Sequence, residues 1–369
     1  MTPIDFRRHL HAHPELSFRE HGTAAFISGQ LTELGIEHRP VAGTGLLARI
    51  EGRGGRGDGR AVVLRADTDA LPVAERTGLA YASQHEGVMH ACGHDVHAAV
   101  LFGVLRQLAA DPGFTGTVLG LFQPGEECNP GGASLVLAED PFAEYDVRAV
   151  VGEHVEPQLE VGTLGFRAGK YMASSDELRF RVHGAGGHGA MRQQLRDPVA
   201  AAAELVVRLL ELNAPERVLS IGRMEAAGAT NVVPDEAYLE GTLRTFDERV
   251  RRELHRRIGA IAADIDARHG TRTAADIDRG YPCVVNDERL TEQAAALAAA
   301  EGLRVEMLPL RTTAEDFGFY TLRYPSLFYR LGAGAAAGRP HTATFSPDEG
   351  AIDVGIGFMR SLALQILKR

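Results

Sequence analysis

The amino-acid sequence predicts an α/β protein with a central sheet flanked by helices and an inserted α+β domain of ferredoxin-like topology. Nearly continuous apolar runs at 117–123 and 147–152 are typical of strands buried on both faces of a sheet. Helical patterns alternate with these runs, which indicates an α/β layer. Between 176 and 277 the order changes to strand, helix, two strands, helix and strand, which predicts the ferredoxin-like insertion.

Length and composition narrow the class of protein further. At 369 residues the chain exceeds the size at which a single core stops growing, so two domains are expected. The 49 acidic and 39 basic residues give a net charge of −10, which argues against a nucleic-acid partner. Three cysteines do not suggest a disulfide framework. Because we find no apolar leader and no stretch of about 18 apolar residues, we expect a cytoplasmic protein that does not bind membranes.

The first elements in the chain are a short helix near Phe6, an amphipathic helix at 19–34, and strands at 45–50 and 61–64. The loop at 52–57 matches the dinucleotide-binding pattern G-x-G-x-x-G. That pattern must open a helix, whereas this loop leads into another strand. We therefore interpret it as a hairpin loop and reject a dinucleotide site.

Residues 90–97 carry one thiol, three imidazoles and one carboxylate, followed by a predicted helix at 98–110. Thiolate sulfur and imidazole nitrogen are donors that first-row divalent cations prefer. Three predicted buried strands also present polar side chains where they end, namely Asp67 and Asp69, Glu126 and Glu127, and Glu153 and His154. The two aspartates equally suit capping of the next turn. Since ligands of open α/β sheets bind at the carboxyl ends of strands, the convergence predicts a metal site there.

The inserted domain is assigned to 171–281, and the catalytic domain to 1–170 and 282–369. The insertion is predicted to contain strands at 176–183, 217–224, 236–244 and 272–277, and helices at 197–212 and 247–269. After it, the α/β pattern resumes with a helix at 287–300, a strand at 327–331, a loop that reaches His341, and a helix at 353–367.

A catalytic metal site needs a few protein ligands, an open position for water and a base. The candidate ligands are Cys92, His94, Glu127, His154 and His341. Glu126 is the candidate general base, because neighbouring residues after a strand point in different directions. Carboxylates that could orient the ligand histidines are Asp69, Asp95 and Glu153. Such a mixed shell tolerates Zn²⁺, Mn²⁺, Co²⁺ or Ni²⁺.

Several motifs in the sequence resemble those of the M20 metallopeptidase family, and most closely its amidohydrolase branch. That branch includes hippurate hydrolases, bacterial aminoacylases, auxin-conjugate hydrolases and N-acetyl-diaminopimelate deacetylases. The motifs are HAHPELS at 11–17, RADTDALP at 65–72, MHACGHD at 89–95, QPGEE at 123–127, GGH at 186–188, NVVPD at 231–235, GTLRTF at 241–246 and EDF at 315–317. They follow the family order over nearly the whole chain.

The resemblance implies a zinc-exopeptidase-like catalytic domain and a lid domain that commonly forms a homodimer or higher oligomer. It implies one or two divalent ions held by the five candidate ligands, with Glu126 as general base and Asp69 as supporting aspartate. His188 matches the histidine that stabilises the oxyanion, while Asn231 and Arg244 match residues that bind the substrate carboxylate. The implied substrate is a small N-acyl-L-amino acid or a related dipeptide.

Two other enzymatic or metal-binding classes are less well supported. A zinc nucleobase deaminase would need P-C-x-x-C, and no second cysteine follows Pro282 and Cys283 at that spacing. A structural metal site would favour a closed shell of four Cys and His ligands. The alternative that stays open is a relative that binds metal or an acyl-amino acid without turnover, although the presence of Glu126 argues against it.

Overall fold

The computed structural model describes residues 1–56 and 58–368, which form two compact units. The first unit comprises Met1–Gly169, Val285–Pro309 and the chain from Asp316 onward. The second comprises Lys170–Val284 and the short segment Leu310–Glu315. The second unit thus interrupts the first in sequence.

The helices are α1 (Pro3–Ala12), α2 (His21–Glu33), α3 (His94–Ala110), α4 (Gly132–Glu139), α5 (Pro198–Leu210), α6 (Glu248–His269), α7 (Glu288–Ala300), α8 (Gly318–Thr321) and α9 (Gly350–Leu367). The strands are β1 (Glu37–Val41), β2 (Gly45–Glu51), β3 (Arg60–Asp67), β4 (Thr117–Gln123), β5 (Asp146–Glu156), β6 (Thr163–Phe166), β7 (Gly169–Met172), β8 (Asp176–His183), β9 (Gly187–His188), β10 (Arg217–Glu225), β11 (Val232–Val233), β12 (Glu236–Thr245), β13 (Arg272–Arg279), β14 (Val284–Asn286), β15 (Arg304–Met307) and β16 (Ser326–Gly332).

The first unit is built on a mixed eight-stranded sheet in the order β1-β2-β4-β3-β5-β16-β6-β15. The four central strands β4, β3, β5 and β16 run parallel to one another, so their carboxyl ends lie at one edge. Every residue of β4 is buried, which confirms the prediction of a strand covered on both faces. This arrangement confirms the predicted sheet flanked by helices.

The predicted hairpin between the strands at 45–50 and 61–64 is wrong. β4 lies between β2 and β3 and pairs antiparallel with β2 and parallel with β3. Turn residues show where a strand ends, but they do not show which strand becomes its neighbour. Of the loop at 52–57, Gly57 lies outside the described residues.

Helix α3 begins at His94, four residues before the predicted start at Ala98. Gly93 precedes it with a φ of 91°, a left-handed conformation that favours glycine. The first turn holds polar side chains with buried partners, so apolar periodicity does not reveal it. His94 therefore sits on a rigid helix rather than on a loop.

Helix α9 is long and apolar enough to pass for a membrane span by composition, so the expectation that no such stretch exists is wrong. In the described chain, 56% of its apolar window is buried. Ile352, Ile356 and Met359 belong to the hydrophobic core of the first unit. Its hydropathy is that of a core helix.

The second unit contains an antiparallel sheet in the order β10-β12-β8-β13, with α5 and α6 packed against it. This is the predicted ferredoxin-like order of elements. Asp197 and Asp247 cap the two helices by accepting hydrogen bonds from backbone N–H groups of the first turn. Leu205, Leu254 and Ile258 contribute to a separate hydrophobic core.

Candidate metal centre

The central parallel strands place acidic and histidine side chains at one edge of the sheet. Asp67 is the last residue of β3, and Glu126 and Glu127 follow the end of β4. Strand β5 extends to Glu156, four residues beyond its predicted end, so Glu153 and His154 lie within it. The extension leaves their side chains fixed by sheet pairing rather than by a loop.

The five candidate ligands are brought together at this edge. The Cys92 sulfur lies 3.3 Å from Nε2 of His154. Oε1 of Glu127 lies 3.8 Å from Nε2 of His94 and 3.3 Å from Nε2 of His341. Cys92, His94 and His154 form one group whose donor atoms all lie within 4.8 Å of one another, and Cys92, Glu127 and His341 form a second.

Glu126 lies in a third such group, with His94 and Glu127. Its side chain is buried, since the residue is only 6% exposed. The two consecutive glutamates thus reach the same place from one loop. A carboxylate beside a cluster of metal donors suits a base that takes a proton from water.

Asp69 connects His94 to the loop that carries both glutamates. One of its carboxylate oxygens lies 3.1 Å from Nδ1 of His94. The other accepts hydrogen bonds from Ser17 Oγ (2.7 Å) and from the backbone N–H of Glu127 (2.9 Å). Although burial raises the pKa of Asp69, the hydrogen bond with His94 lowers it overall. A carboxylate here holds the proton of His94 on Nδ1 and leaves Nε2 for a cation.

Nε2 of His94 fits a bound cation. Within the described chain this buried atom has no hydrogen-bond partner, and the carboxylate oxygens of Asp67 and Glu127 lie 3.7 and 3.8 Å away. Burial lowers the pKa of His94, but the Asp67 carboxylate and the Cys92 thiol raise it well above its ordinary value. The strongly negative surroundings and the mixed sulfur, nitrogen and oxygen donors suit a divalent ion such as Zn²⁺.

His154 presents a neutral imidazole to the same place. Its Nδ1 lies 2.7 Å from the carbonyl oxygen of Val155, so Nδ1 carries the proton and Nε2 the lone pair. Burial and the nearby Arg330 guanidinium hold the pKa of His154 well below its ordinary value. A neutral histidine is the form that binds metal.

His341 forms the exposed side of the group. Its side chain is 54% exposed, and its φ of 62° is uncommon for a residue other than glycine. Hydrogen bonds with Cys92 and Glu127 raise the pKa of His341 to about 10. Burial, reinforced by Glu127, raises the pKa of the Cys92 thiol. A cation would displace both protons, so metal binding there is expected to depend on pH.

Two of the three carboxylates proposed to orient the histidines have other partners. Asp95 accepts hydrogen bonds from Arg7 and His11. Glu153 accepts a hydrogen bond from Tyr329. Burial raises the pKa of Glu153 to about 8, against the effect of that hydrogen bond. Among the described residues neither carboxylate makes a hydrogen bond with a candidate ligand histidine, so both suggestions are wrong.

Four buried or half-buried side chains that support the site were not among the predicted site residues: Ser17, Arg65, His97 and Asp316. Ser17, Arg65 and Asp316 lie inside three of the motifs given above, which was the available signal. His97 belongs to the 90–97 cluster and lies in the first turn of α3, and Arg65 lies within an apolar strand. Their burial could not be read from the local pattern.

The remaining candidates lie in the second unit. His188 on β9 pairs with Val232 on β11, and Asn231 accepts a backbone hydrogen bond from Gly189 at 2.8 Å. His188 and Asn231 are thus close together and exposed. Arg244 lies on β12, half-buried, and burial lowers its pKa. Its guanidinium makes no hydrogen bond or ion pair with the described residues.

At the strand ends of this mixed sheet, thiol, imidazole and carboxylate donors lie beside a buried glutamate. This combination is typical of metal-dependent hydrolases. Residues 63–365 match Peptidase family M20/M25/M40. The chain therefore belongs to this family, and it is a hydrolase that acts on amide bonds.

Individual relatives agree with this family. An N-acetyl-L-cysteine deacetylase of Bacillus subtilis strain 168 is 37% identical over 372 residues, covering 99% of this chain and 88% of the relative. An N-acetyldiaminopimelate deacetylase of Exiguobacterium sibiricum is 34% identical over 364 residues, covering 96% and 97%. The crystal structure of the Bacillus subtilis YXEP protein, described as a dinuclear metal-binding peptidase of the M20 family, is similar with a TM-score of 0.88 and 35% identity, covering 99% and 98%.

Proposed function

We propose that the protein is a metal-dependent amidohydrolase that cleaves N-acyl-L-amino acids, with Glu126 as general base. The observation that carries this proposal is the position of Glu126, which shares one group of donor atoms with His94 and Glu127. A protein that only bound metal would not need a second carboxylate beside the ligands. The named deacetylases among its relatives support an N-acetyl group as the acyl part.

One or two divalent ions would be held by Cys92, His94, Glu127, His154 and His341. A bound ion lowers the pKa of a water molecule and polarises the scissile carbonyl. The family member described as dinuclear supports two ions. Zn²⁺, Mn²⁺, Co²⁺ and Ni²⁺ all suit the mixed donor set.

Glu126 takes the proton of the attacking water and later delivers it to the leaving nitrogen. Its burial reduces competition from bulk water for that proton. Asp69 keeps His94 in one tautomer during this cycle. We assign stabilisation of the oxyanion to His188, whose imidazole is exposed in the second unit.

The substrate carboxylate is assigned to Arg244 and Asn231. Arg244 supports this assignment because a half-buried guanidinium with no hydrogen bond or ion pair to the described residues is costly unless it binds an anion. Its planar fork matches a carboxylate in a bidentate pair. The substrate is therefore an N-acyl amino acid with a free α-carboxylate.

We also propose that the second unit acts as a lid and mediates a homodimer or higher oligomer in the cytoplasm. Exposed apolar side chains on its helix α5 and its edge strand β10 support self-association: Val207, Leu210, Val218 and Met224. Light scattering on the protein as it elutes from a size-exclusion column tests the proposed self-association. A monomer would show that this part of the proposal is wrong.

The test is hydrolysis of N-acetyl-, N-benzoyl- and N-succinyl-amino acids by chelator-treated protein, with each metal restored in turn. We expect turnover that requires metal and is lost by at least about 10²-fold in Glu126→Gln while metal still binds. Glu160→Gln, which changes an exposed glutamate, is the matched control and should match wild type.

The results separate the two candidate functions. Full activity of Glu126→Gln would refute the assignment of the base. Tight binding of an N-acetyl amino acid without turnover by any metal form would instead support a non-catalytic binding protein.

A further inference from the structure

A fully buried aspartate that is not one of the five candidate ligands holds both ends of the loop that carries Glu126 and Glu127. The Asp316 carboxylate accepts hydrogen bonds from Nε2 of Gln123 (2.8 Å), where the loop begins, and from the backbone N–H of Ala133 (2.9 Å), where it ends. Its own backbone N–H lies 3.4 Å from Oε1 of Glu126. One carboxylate therefore holds the two ends of the Pro124–Gly132 loop together.

Arg65 fixes Asp316 to the central strands. Its guanidinium donates to Oδ1 of Asp316 (2.7 Å), to Oδ2 of Asp67 (2.7 Å) and to Oε1 of Gln123 (3.0 Å). Arg65, Asp67 and Asp316 have no exposed surface. A planar guanidinium fixes the direction of its hydrogen bonds as well as supplying a charge. The carboxylate of Asp316 is therefore held in one position relative to β3 and β4.

The same chain of hydrogen bonds continues to the strand that carries His154. Asp67 accepts a hydrogen bond from Nδ1 of His97 (2.6 Å), and Nε2 of His97 accepts one from the backbone N–H of Val155 (2.9 Å). Val155 follows His154 directly in β5. The network thus links the loop of the two glutamates to a second candidate ligand.

Breaking such a network leaves buried charge without a partner, so any change in it will affect stability. Stability alone, however, does not require one carboxylate to hold both ends of a loop. Gly132 also donates to the Gly125 carbonyl at 3.0 Å, so a shift at either end moves the glutamates between them. The contacts at the two ends of the loop therefore help to set the positions of the two glutamate side chains.

We propose that Asp316 is a positioning residue that sets the place of Glu126 and Glu127 through the Pro124–Gly132 loop, without touching substrate. The inference rests on the proposed function for the role of Glu126, but its effect on Glu127 concerns metal binding alone. The hydrogen-bonded chain through Arg65 and Asp67 makes this position depend on the central strands.

The test compares Asp316→Asn with wild type in two measurements. An asparagine supplies one acceptor oxygen, so it cannot satisfy Arg65, Gln123 and Ala133 together. We expect metal affinity, measured by competition with a chelator, to fall about 10- to 100-fold. We expect kcat to fall about 10²-fold, with KM changed less than about twofold, because a misplaced base affects the transition state.

Asn286→Leu is the control for a loss of stability alone. Asn286 is buried in the same unit and bonds the backbone of Arg167 and Phe328, not the Pro124–Gly132 loop. It should lower the melting temperature without changing metal affinity. Gln123→Met removes the amide that Asp316 holds but keeps the charges, and should show a smaller loss of both metal affinity and kcat.

Each outcome is decisive for the role of Asp316. If folded Asp316→Asn and Gln123→Met bind metal and turn over like Asn286→Leu, the proposal is wrong. If wild type hydrolyses no N-acyl amino acid but Asp316→Asn still weakens metal binding, the proposed function fails while the positioning role stands. Should Asp316→Asn not fold, the comparison of Gln123→Met with Asn286→Leu decides.

Discussion

Replacing Asp69 by asparagine tests whether one carboxylate decides which nitrogen of His94 is free for metal. In the native site, one oxygen of Asp69 faces Nδ1 of His94 and the other accepts from Ser17 and from the N–H of Glu127. Asparagine has the same shape but only one acceptor oxygen. It can therefore satisfy one side of this arrangement and not the other.

Both orientations of the new amide weaken the site. If its oxygen keeps Ser17 and Glu127, its NH₂ group faces Nδ1 of His94, and the imidazole proton must move to Nε2. If its oxygen faces His94, the part-buried N–H of Glu127 loses its acceptor, which costs about 1–3 kcal/mol. That range corresponds to a factor of about 5 to 150 in an equilibrium constant. We expect metal affinity to fall within it.

The assay is competition for Zn²⁺ or Co²⁺ between the metal-free protein and a chromogenic chelator. Ser17→Ala is the control, since it removes one hydrogen bond to Asp69 but keeps the carboxylate. It should weaken metal binding only a few-fold, in line with about 1 kcal/mol for one hydrogen bond. Folded Asp69→Asn with wild-type metal affinity would refute the argument that Asp69 sets the tautomer of His94.

Three further perturbations probe burial, recognition and backbone fit. Burial raises the pKa of Glu153 to about 8 against 4.5 for the free side chain, so the folded state keeps a proton that the unfolded state loses. The free energy of unfolding of the metal-free protein should then fall by about 1.4 kcal/mol per pH unit between these two pKa values. In Glu153→Gln, whose side chain stays neutral, urea unfolding should show a free energy that depends less steeply on pH. Arg244→Lys keeps the charge but loses the fork, so we expect KM to rise about tenfold with kcat little changed, and an unchanged KM would contradict its assignment to the substrate carboxylate. A Cβ on Gly132 would lie 1.7 Å from the Pro124 carbonyl oxygen, so Gly132→Ala should displace the loop and lower both metal affinity and melting temperature. Gly29→Ala, in a helix with no atom within 4 Å of the new Cβ, should instead stabilise the fold slightly.

The sequence was most informative where one local pattern carried the structural fact. The apolar run of β4 identified a strand buried on both faces, and the two glutamates after it were placed at the edge of the sheet. The order of elements in the second unit was equally readable, because alternating strands and capped helices have distinct periods. The order and spacing of the motifs then predicted that Cys92 and His94 share a site with partners that lie far along the chain.

The sequence was least informative where two distant polar residues explain one another. Arg65 lies in an apolar strand and is paired with Asp316, 251 residues away, so neither residue reveals the other. Asp95 and Glu153 look equivalent to Asp69 in the sequence, yet they bond Arg7 and Tyr329. The direction of a side chain at the end of a strand or helix depends on tertiary contacts, and the local sequence pattern does not encode these contacts.

The place of β16 in the sheet has a consequence for synthesis on the ribosome. This strand lies between β5 and β6, although the chain reaches it only after the whole of Lys170–Val284 has been made. The second unit is almost continuous in sequence, so a nascent chain can complete most of its contacts early. The first unit must wait, with the inner edges of β5 and β6 unpaired until Ser326–Gly332 emerges. We expect this waiting interval to be the period in which the growing polypeptide most needs a chaperone.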